Sequence, residues 1–218
     1  MDLKVLRAKN FELTKKALRD NITRDVVIIQ TIHSIKEMEE VVNRLIANLR
    51  ERFGYYAPRV CREADAEGVV KAAMESVRED MGISLTQEDI RSIKEMAIEV
   101  SEVMKVKENQ EVYLGKIMQE ICPLVKETAG VIIGAELIDL AGSFKHLAEL
   151  PSSTIQVLGA EKALFRHIKT GARPPRFGVI FAHESISNAK EKEKGKAARK
   201  LASKIAIAAK KDYFGKRE

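Results

Sequence analysis

The residues best placed for chemistry are a few cations in the second half of the chain. Lys162, Arg166 and Lys169 stand at i, i+4 and i+7, so on a helix all three project from one face. Arg173 and Arg176 follow in Gly171-Ala-Arg-Pro-Pro-Arg, where two prolines after a glycine exclude a helix and predict an exposed basic loop. Guanidinium groups grip phosphates bidentately and stack on unpaired bases, and the amide of Gln156 upstream suits base edges. That chemistry is recognition of a nucleic acid; the alternative is a basic helix facing water.

Catalytic constellations are missing from the sequence. The four histidines, His33, His146, His167 and His183, include no i, i+4 pair and none stands beside a cysteine. Cys61 and Cys122 lie far apart without metal-ligand spacing, which predicts two thiols rather than a disulfide or a zinc site. There is no P-loop, no dinucleotide glycine fingerprint and no Gly-x-Ser-x-Gly. Glu136 and Glu161 have the chemistry of an acid or base, yet glutamates on helix surfaces and helix starts are commonplace. The expectation is a non-enzyme with no cofactor and no metal. Asn21-Ile-Thr matches a glycosylation sequon but falls on a predicted helix and reads as coincidence.

Charge separates the two halves. The chain carries +6 overall; residues 1–120 hold 20 Lys plus Arg against 22 Asp plus Glu, and residues 121–218 hold 18 against 10. From Lys162 to Arg217 the ratio is 16 to 4. A near-neutral half joined to a basic half predicts different partners for each, with a polyanion for the second.

The elements that must position these cations are helices. Across 218 residues, 12 glycines, 5 prolines, no tryptophan and 5% aromatic side chains suit long helices and exclude an all-β fold. No apolar run reaches the roughly 20 residues that span a bilayer, and the start MDLKVLRAKNFEL is too charged for a signal peptide. The expectation is an intracellular, cytoplasmic protein without a membrane partner.

From Glu12 to Phe53 apolar residues recur every three or four positions without Gly or Pro, which predicts one continuous helix ending near Gly54 and Pro58. Its length would be about 60 Å at 1.5 Å per residue. Asp65 to Met81 has a modest helical pattern. Thr86 and Asp89 resemble a capping box before a second striped run from Ile90 to Ile121, which ends near Pro123. Two such helices predict a long antiparallel hairpin, a coiled-coil rod over 1–125. Met38, Met96 and Met104 read as packing residues. A rod two helices thick covers little apolar surface, so the stripe Ile32, Met38, Val42, Leu45 and Leu49 is also the candidate surface for a homodimer.

Residues 126–218 change texture to short helices punctuated by glycine, which predicts a compact helical domain. Gly-Ala-Glu occurs at 134–136 and again at 159–161, and Pro151-Ser-Ser-Thr starts a helix with capping chemistry. Phe177 to His183 is strand-like but too isolated to found a sheet. A last helix carries the stripe Ala197, Leu201, Ile205 and Ala208, bordered by lysines and Arg199.

Taken together, Leu140-Ala-Gly, Pro151-Ser-Ser-Thr-Ile-Gln-Val-Leu-Gly-Ala-Glu-Lys-Ala-Leu-Phe-Arg, Thr170-Gly-Ala-Arg-Pro-Pro, Gly178-Val-Ile, Gly195-Lys-Ala-Ala-Arg and the closing Asp212-Tyr-Phe resemble the Nop domain. That domain belongs to the archaeal box C/D ribonucleoprotein scaffold, its nucleolar relatives and a pre-mRNA splicing factor, and the helical hairpin resembles the coiled coil preceding it. The resemblance implies an all-α scaffold that binds a kink-turn RNA together with a ribosomal-protein-like kink-turn-binding protein. It places Gln156, Lys162, Arg166, Lys169, Arg173 and Arg176 on the RNA, with Ser153, Thr154 and Glu161 toward the protein partner, Ser153 and Thr154 being equally candidates for helix capping. It further implies a coiled-coil homodimer and association with fibrillarin, the methyltransferase of guide-directed RNA 2′-O-methylation. Family scaffolds bind fibrillarin through a separate N-terminal domain, whereas this sequence starts about a dozen residues before the hairpin, so direct fibrillarin binding stays open. Many members also have a tyrosine followed at once by histidine after Gly-x-Ile, where here Phe181-Ala182-His183 moves the histidine by one; a stacking role on RNA is open for His183. The competing reading is a coiled-coil dimerisation adaptor with no RNA contact.

Overall fold

The computed structural model describes residues 3–21 and 23–215. Twelve α-helices follow one another: α1 (Leu3–Asn21), α2 (Asp25–Phe53), α3 (Pro58–Glu63), α4 (Ala66–Glu75), α5 (Gln87–Ile121), α6 (Pro123–Ala129), α7 (Val131–Ala141), α8 (Phe144–Glu149), α9 (Ser152–Val157), α10 (Glu161–Thr170), α11 (Glu184–Ser187) and α12 (Glu191–Phe214), with a 3₁₀ turn at Val179–Ala182 before α11. No strand occurs among the described residues. The all-α expectation holds, and the strand-like segment at 177–183 is the 3₁₀ turn. No helix among the described residues is long and apolar enough to cross a membrane.

The continuous helix expected over 12–53 is two helices. Thr23 is not helical and α2 restarts at Asp25; Ile22 of the expected stripe and the middle of the Asn21-Ile-Thr sequon lie outside the described residues. Where α2 begins, the structure has polar contacts that apolar periodicity does not register. Asp25 is buried; its carboxylate accepts the Phe144 N–H at 2.8 Å and the Thr23 hydroxyl. A buried carboxylate is tolerated when such donors surround it.

The chain forms two compact units, one from 33–113 and the other from the described residues up to Ile32 and from Leu114 onward. The boundary expected at 125/126 does not coincide with this division, because the N-terminal turns of α2 and the last turns of α5 group with the C-terminal helices.

In the 33–113 unit, Val42, Ile46, Leu49 and Phe53 of α2 pack with Ile93, Ala97 and Val100 of α5 and Val69, Val70 and Ala73 of α4. The start of α5 therefore lies against the end of α2, and the Lys107–Glu39 pair, 3.8 Å apart, continues the antiparallel register. Burying side chains such as Leu49 and Phe53 stabilises by about 1.5–3 kcal/mol each. The connection is tightly built: Asp65 caps α4 through the Gly68 N–H at 2.8 Å, and Arg50 donates to the Cys61 and Ala64 carbonyls at 2.7 and 2.9 Å. Thr86 and Asp89 form the expected reciprocal box, with Asp89 accepting the Thr86 N–H and Thr86 Oγ1 accepting the Asp89 N–H, each at 3.2 Å.

Val42 and Leu49 are consumed in this core, Leu45 packs on it, and Ile32 is buried in the other unit; Met38 is half-buried. The apolar residues this unit leaves exposed include Val41, Ile98 and Val106.

The other unit is organised around α12. Small residues Ala198, Ala202, Ala206, Ala208 and Ala209 with Leu201 and Ile205 form its buried faces, against which α6, α8 and α9 pack closely. Asp212 accepts the Val125 N–H at 3.0 Å, closing the start of α6 onto α12, and Phe144 meets Tyr213 edge-on at 5.7 Å. The two Gly-Ala-Glu copies are not equivalent. Gly134 is inside α7, where a Cβ would come within 2.7 Å of Met118, whereas Gly159 sits in a turn with φ +88°.

Candidate nucleic-acid interface

α10 and the loop behind it leave the α12 core through a narrow neck. Glutamine and leucine carbonyls of the outgoing chain meet amides of the returning chain: Gly178 N–H donates to Gln156 O at 2.8 Å and Val179 N–H to Leu158 O at 2.9 Å. The Gln156 side chain adds a third bond, Nε2 to the Arg176 carbonyl at 2.6 Å. Two glycines permit this approach. A Cβ on Gly178 would stand 1.8 Å from Leu158 O, and one on Gly159 would strike Val179 in addition to its left-handed φ. The stacked rings of Phe177 and Phe181, 4.8 Å apart, and the Lys194 ammonium over Phe181 brace the returning strand of the neck.

Beyond the neck, α10 buries no residue. Its 3.6-residue period sorts the surface into stripes. Ala163 and His167 are half-buried, and the His167 ring Nδ1–H donates to the Ala172 carbonyl, folding the loop back on the helix end. Lys162, Arg166 and Lys169 form a second stripe, all exposed. Leu164, Phe165 and Ile168 form a third, with Phe165 63% and Ile168 71% exposed. The centres of the basic and apolar stripes lie roughly 120° apart around the helix, and they meet at Phe165 and Lys169, i and i+4, where the ammonium stands 5.5 Å from the ring. Gly171 ends the helix in the left-handed conformation at φ +67°, and Arg173 follows exposed in the loop.

The structure brings the expected cations together and reassigns others. Lys162, Arg166 and Arg173 make no ion pair among the described residues, so their charge faces outward uncompensated. Arg176 is partly engaged, 3.8 Å from Glu191, which also binds Lys194 at 3.0 Å. Gln156, expected near bases, spends its amide N–H on the neck. Glu161 accepts the Gly159 N–H at 2.7 Å and so shapes the turn into α10. Ser153 and Thr154 are inside α9, whose N-cap is Pro151 without a side-chain cap bond, so the capping alternative falls; Ser153 is exposed and Thr154 half-buried. His183 caps α11, its Nδ1 accepting the Ser185 N–H at 3.2 Å. The apolar stripe of α10 was missed by sequence reasoning, which takes leucine, phenylalanine and isoleucine at helical spacing as inward-facing.

The family model for Nop, described as snoRNA binding domain, fibrillarin, matches residues 10–218. A NOP5 family protein of Methanocaldococcus jannaschii is 34% identical over 94% of this chain and 56% of its own length. Nucleolar protein 58 of Schizosaccharomyces pombe is 32% identical over 89% of this chain and 44% of its own, and human nucleolar protein 56 is 30% identical over 92% and 39%. The chain thus spans about half the length of these relatives. A chain from a fibrillarin/Nop5p complex superposes with a TM-score of 0.59 at 26% identity, covering 97% of this chain and 70% of that one.

Proposed function

The chain belongs to the Nop family, and on that premise we propose that it is a non-catalytic RNA–protein scaffold, binding a box C/D-type kink-turn RNA together with its kink-turn-binding protein. The observation that carries the reading is α10, which offers an unburied apolar stripe beside an unburied basic stripe. Phosphates satisfy the basic stripe and an apolar protein surface the other, so a ligand made of both fits better than either alone. Arg166 and Lys169 lie on the phosphates, Arg173 extends the track, and exposed Ser153 lies toward the protein partner. Fibrillarin is the partner named in the related complex; we extend the proposal to its association with the assembled particle, and to a homodimer formed through the outward apolar residues of the 33–113 unit.

Gel-shift titrations of kink-turn RNA, with and without its binding protein, test this. Tight binding is expected only when the protein is present. Replacing Phe165 and Ile168 by serine should remove the gain from the protein without changing the salt slope, whereas Lys162→Ala with Arg166→Ala should make the slope shallower by about 1.8. Equal affinity in the two titrations would overturn the composite reading, and absence of RNA binding in both would leave the adaptor reading.

A further inference from the structure

A second cationic hollow lies away from α10. It encloses about 660 Å³ between the end of α6, the start of α11 and the outer face of α12, and is lined by Glu127, Thr128, His183, Ser185, Lys200 and Lys204 among others. No residue of α10 or its loop lines it. We propose that this hollow binds a ribose-phosphate unit of the RNA backbone, with Lys200 and Lys204 on the phosphate and Glu127 and Thr128 toward the ribose 2′-hydroxyl; the proposal rests on the RNA-binding reading above.

Three observations carry it. Lys200 and Lys204 are both exposed and stand at i, i+4 on the same helix, a like-charge pair that costs stability in isolation. Neither makes an ion pair among the described residues. Between Lys194 and Lys211, α12 contains seven cations and no acid, so no neighbour on the helix relieves the repulsion, and a polyanion does. Finally, the wall opposite the lysines is polar in a way that selects among polyanions. An acidic peptide would bring its carboxylates against Glu127. A ribose brings a hydroxyl that donates to that carboxylate; Thr128 can both donate and accept, while the Ser185 hydroxyl, which donates to His183 Nδ1 at 2.8 Å, keeps its lone pairs to accept. The 2′-hydroxyl is the group by which a protein tells RNA from DNA at a given site, and this wall is built to meet one.

The test measures binding of the full chain to kink-turn RNA preassembled with its binding protein, as a function of salt. Lys200→Ala with Lys204→Ala is expected to make the log–log salt slope shallower by about 1.8, two phosphate contacts at about 0.9 each, and to weaken binding about 10- to 60-fold at 0.1 M salt. Exposed lysines replaced by a strong helix former leave the helix intact, which circular dichroism verifies. Replacing the stem nucleotides by 2′-deoxynucleotides should weaken the unaltered chain several-fold and leave Glu127→Ala unaffected. An unchanged slope in the Lys200/Lys204 variant, while the Lys162/Arg166 variant loses its share, overturns this inference and leaves the scaffold reading standing. No RNA binding by the unaltered chain fails both. A Lys200/Lys204 variant that loses affinity for polyglutamate and not for RNA overturns the choice of ligand, and equal loss on 2′-deoxy and ribose stems overturns the ribose contact.

Discussion

Gly178→Ala should open the neck that presents α10. Its φ of −102° with ψ −134° falls outside the backbone regions that alanine favours, and the added Cβ would stand 1.8 Å from Leu158 O. Ordinary contact between a methyl carbon and a carbonyl oxygen requires about 3.2 Å, so the two strands of the neck must separate by more than 1 Å. Bonds of 2.8 and 2.9 Å from Gly178 and Val179 then exceed hydrogen-bond range, and the 2.6 Å bond from Gln156 to the Arg176 carbonyl lies on the same displaced strand. Three hydrogen bonds at about 1 kcal/mol net each give a loss of roughly 3 kcal/mol, and the disfavoured backbone conformation adds to it. The expected net destabilisation is about 3 kcal/mol or more, read by urea unfolding. Hydrogen exchange locates it, because the Gly178 and Val179 amides should lose protection while those of the α12 core keep theirs. Gly195→Ala is the control: within α12 its Cβ would meet nothing within 4 Å, and it should stabilise by about 1 kcal/mol. If Gly178→Ala unfolds within 0.5 kcal/mol of the unaltered protein with both amides still protected, the neck does not hold α10 as argued.

Asp25→Ala leaves the buried Phe144 N–H without its acceptor and should destabilise by about 1–3 kcal/mol in thermal unfolding, with Asp25→Asn costing less because its carbonyl oxygen still accepts. The hydroxyl and N–H of Thr86 hold the Asp89 carboxyl below the usual carboxylate range. A depressed folded value means that the cap's contribution is complete at neutral pH and is lost as pH falls through that value; carboxyl-carbon NMR should show Asp89 titrating low, and Thr86→Ala should return it to the ordinary range. Burial raises the Cys61 thiol above its ordinary value, with Glu79 adding to the rise and Arg50 opposing it, while Cys122 is fully buried. Thiol labelling at pH 7 should therefore be far slower in the native protein than in urea.

Helical spacing was enough to read the long helices, because a stripe such as Val42, Leu49 and Phe53 is laid down by the packing it then undergoes. It was blind where polar residues decide. The apolar rhythm runs straight through the Thr23 region, yet α2 starts at Asp25, whose buried carboxylate is bonded to an amide 119 positions away. Nothing local tells, either, that the start of α2 and the end of α5 group with helices that follow Pro123. At Thr86 and Asp89 the partners are three residues apart, and there the local rule sufficed.

The interface shows why types and spacing identify cations better than their roles. Lys162, Arg166 and Lys169 share a face whatever surrounds the helix, so that part needed only the period. The neck bonds of Gln156 and Glu161 are not legible in the sequence because the groups they meet, the Arg176 carbonyl and the Gly159 amide, are backbone groups invisible in a residue list. The apolar stripe was hidden for the opposite reason: sequence gives burial only as an average, and α10 is an exception to it. Leaving Phe165 and Ile168 some two-thirds exposed forgoes roughly 1–2 kcal/mol each. A helix that gives up that stability, with no residue buried and its ends pinned by a glycine neck, is held in place by the neck rather than by its own packing. Its surface is thereby left whole for a partner, and under the function proposed above the forgone burial is recovered when an apolar surface and a phosphate backbone arrive on adjacent stripes together.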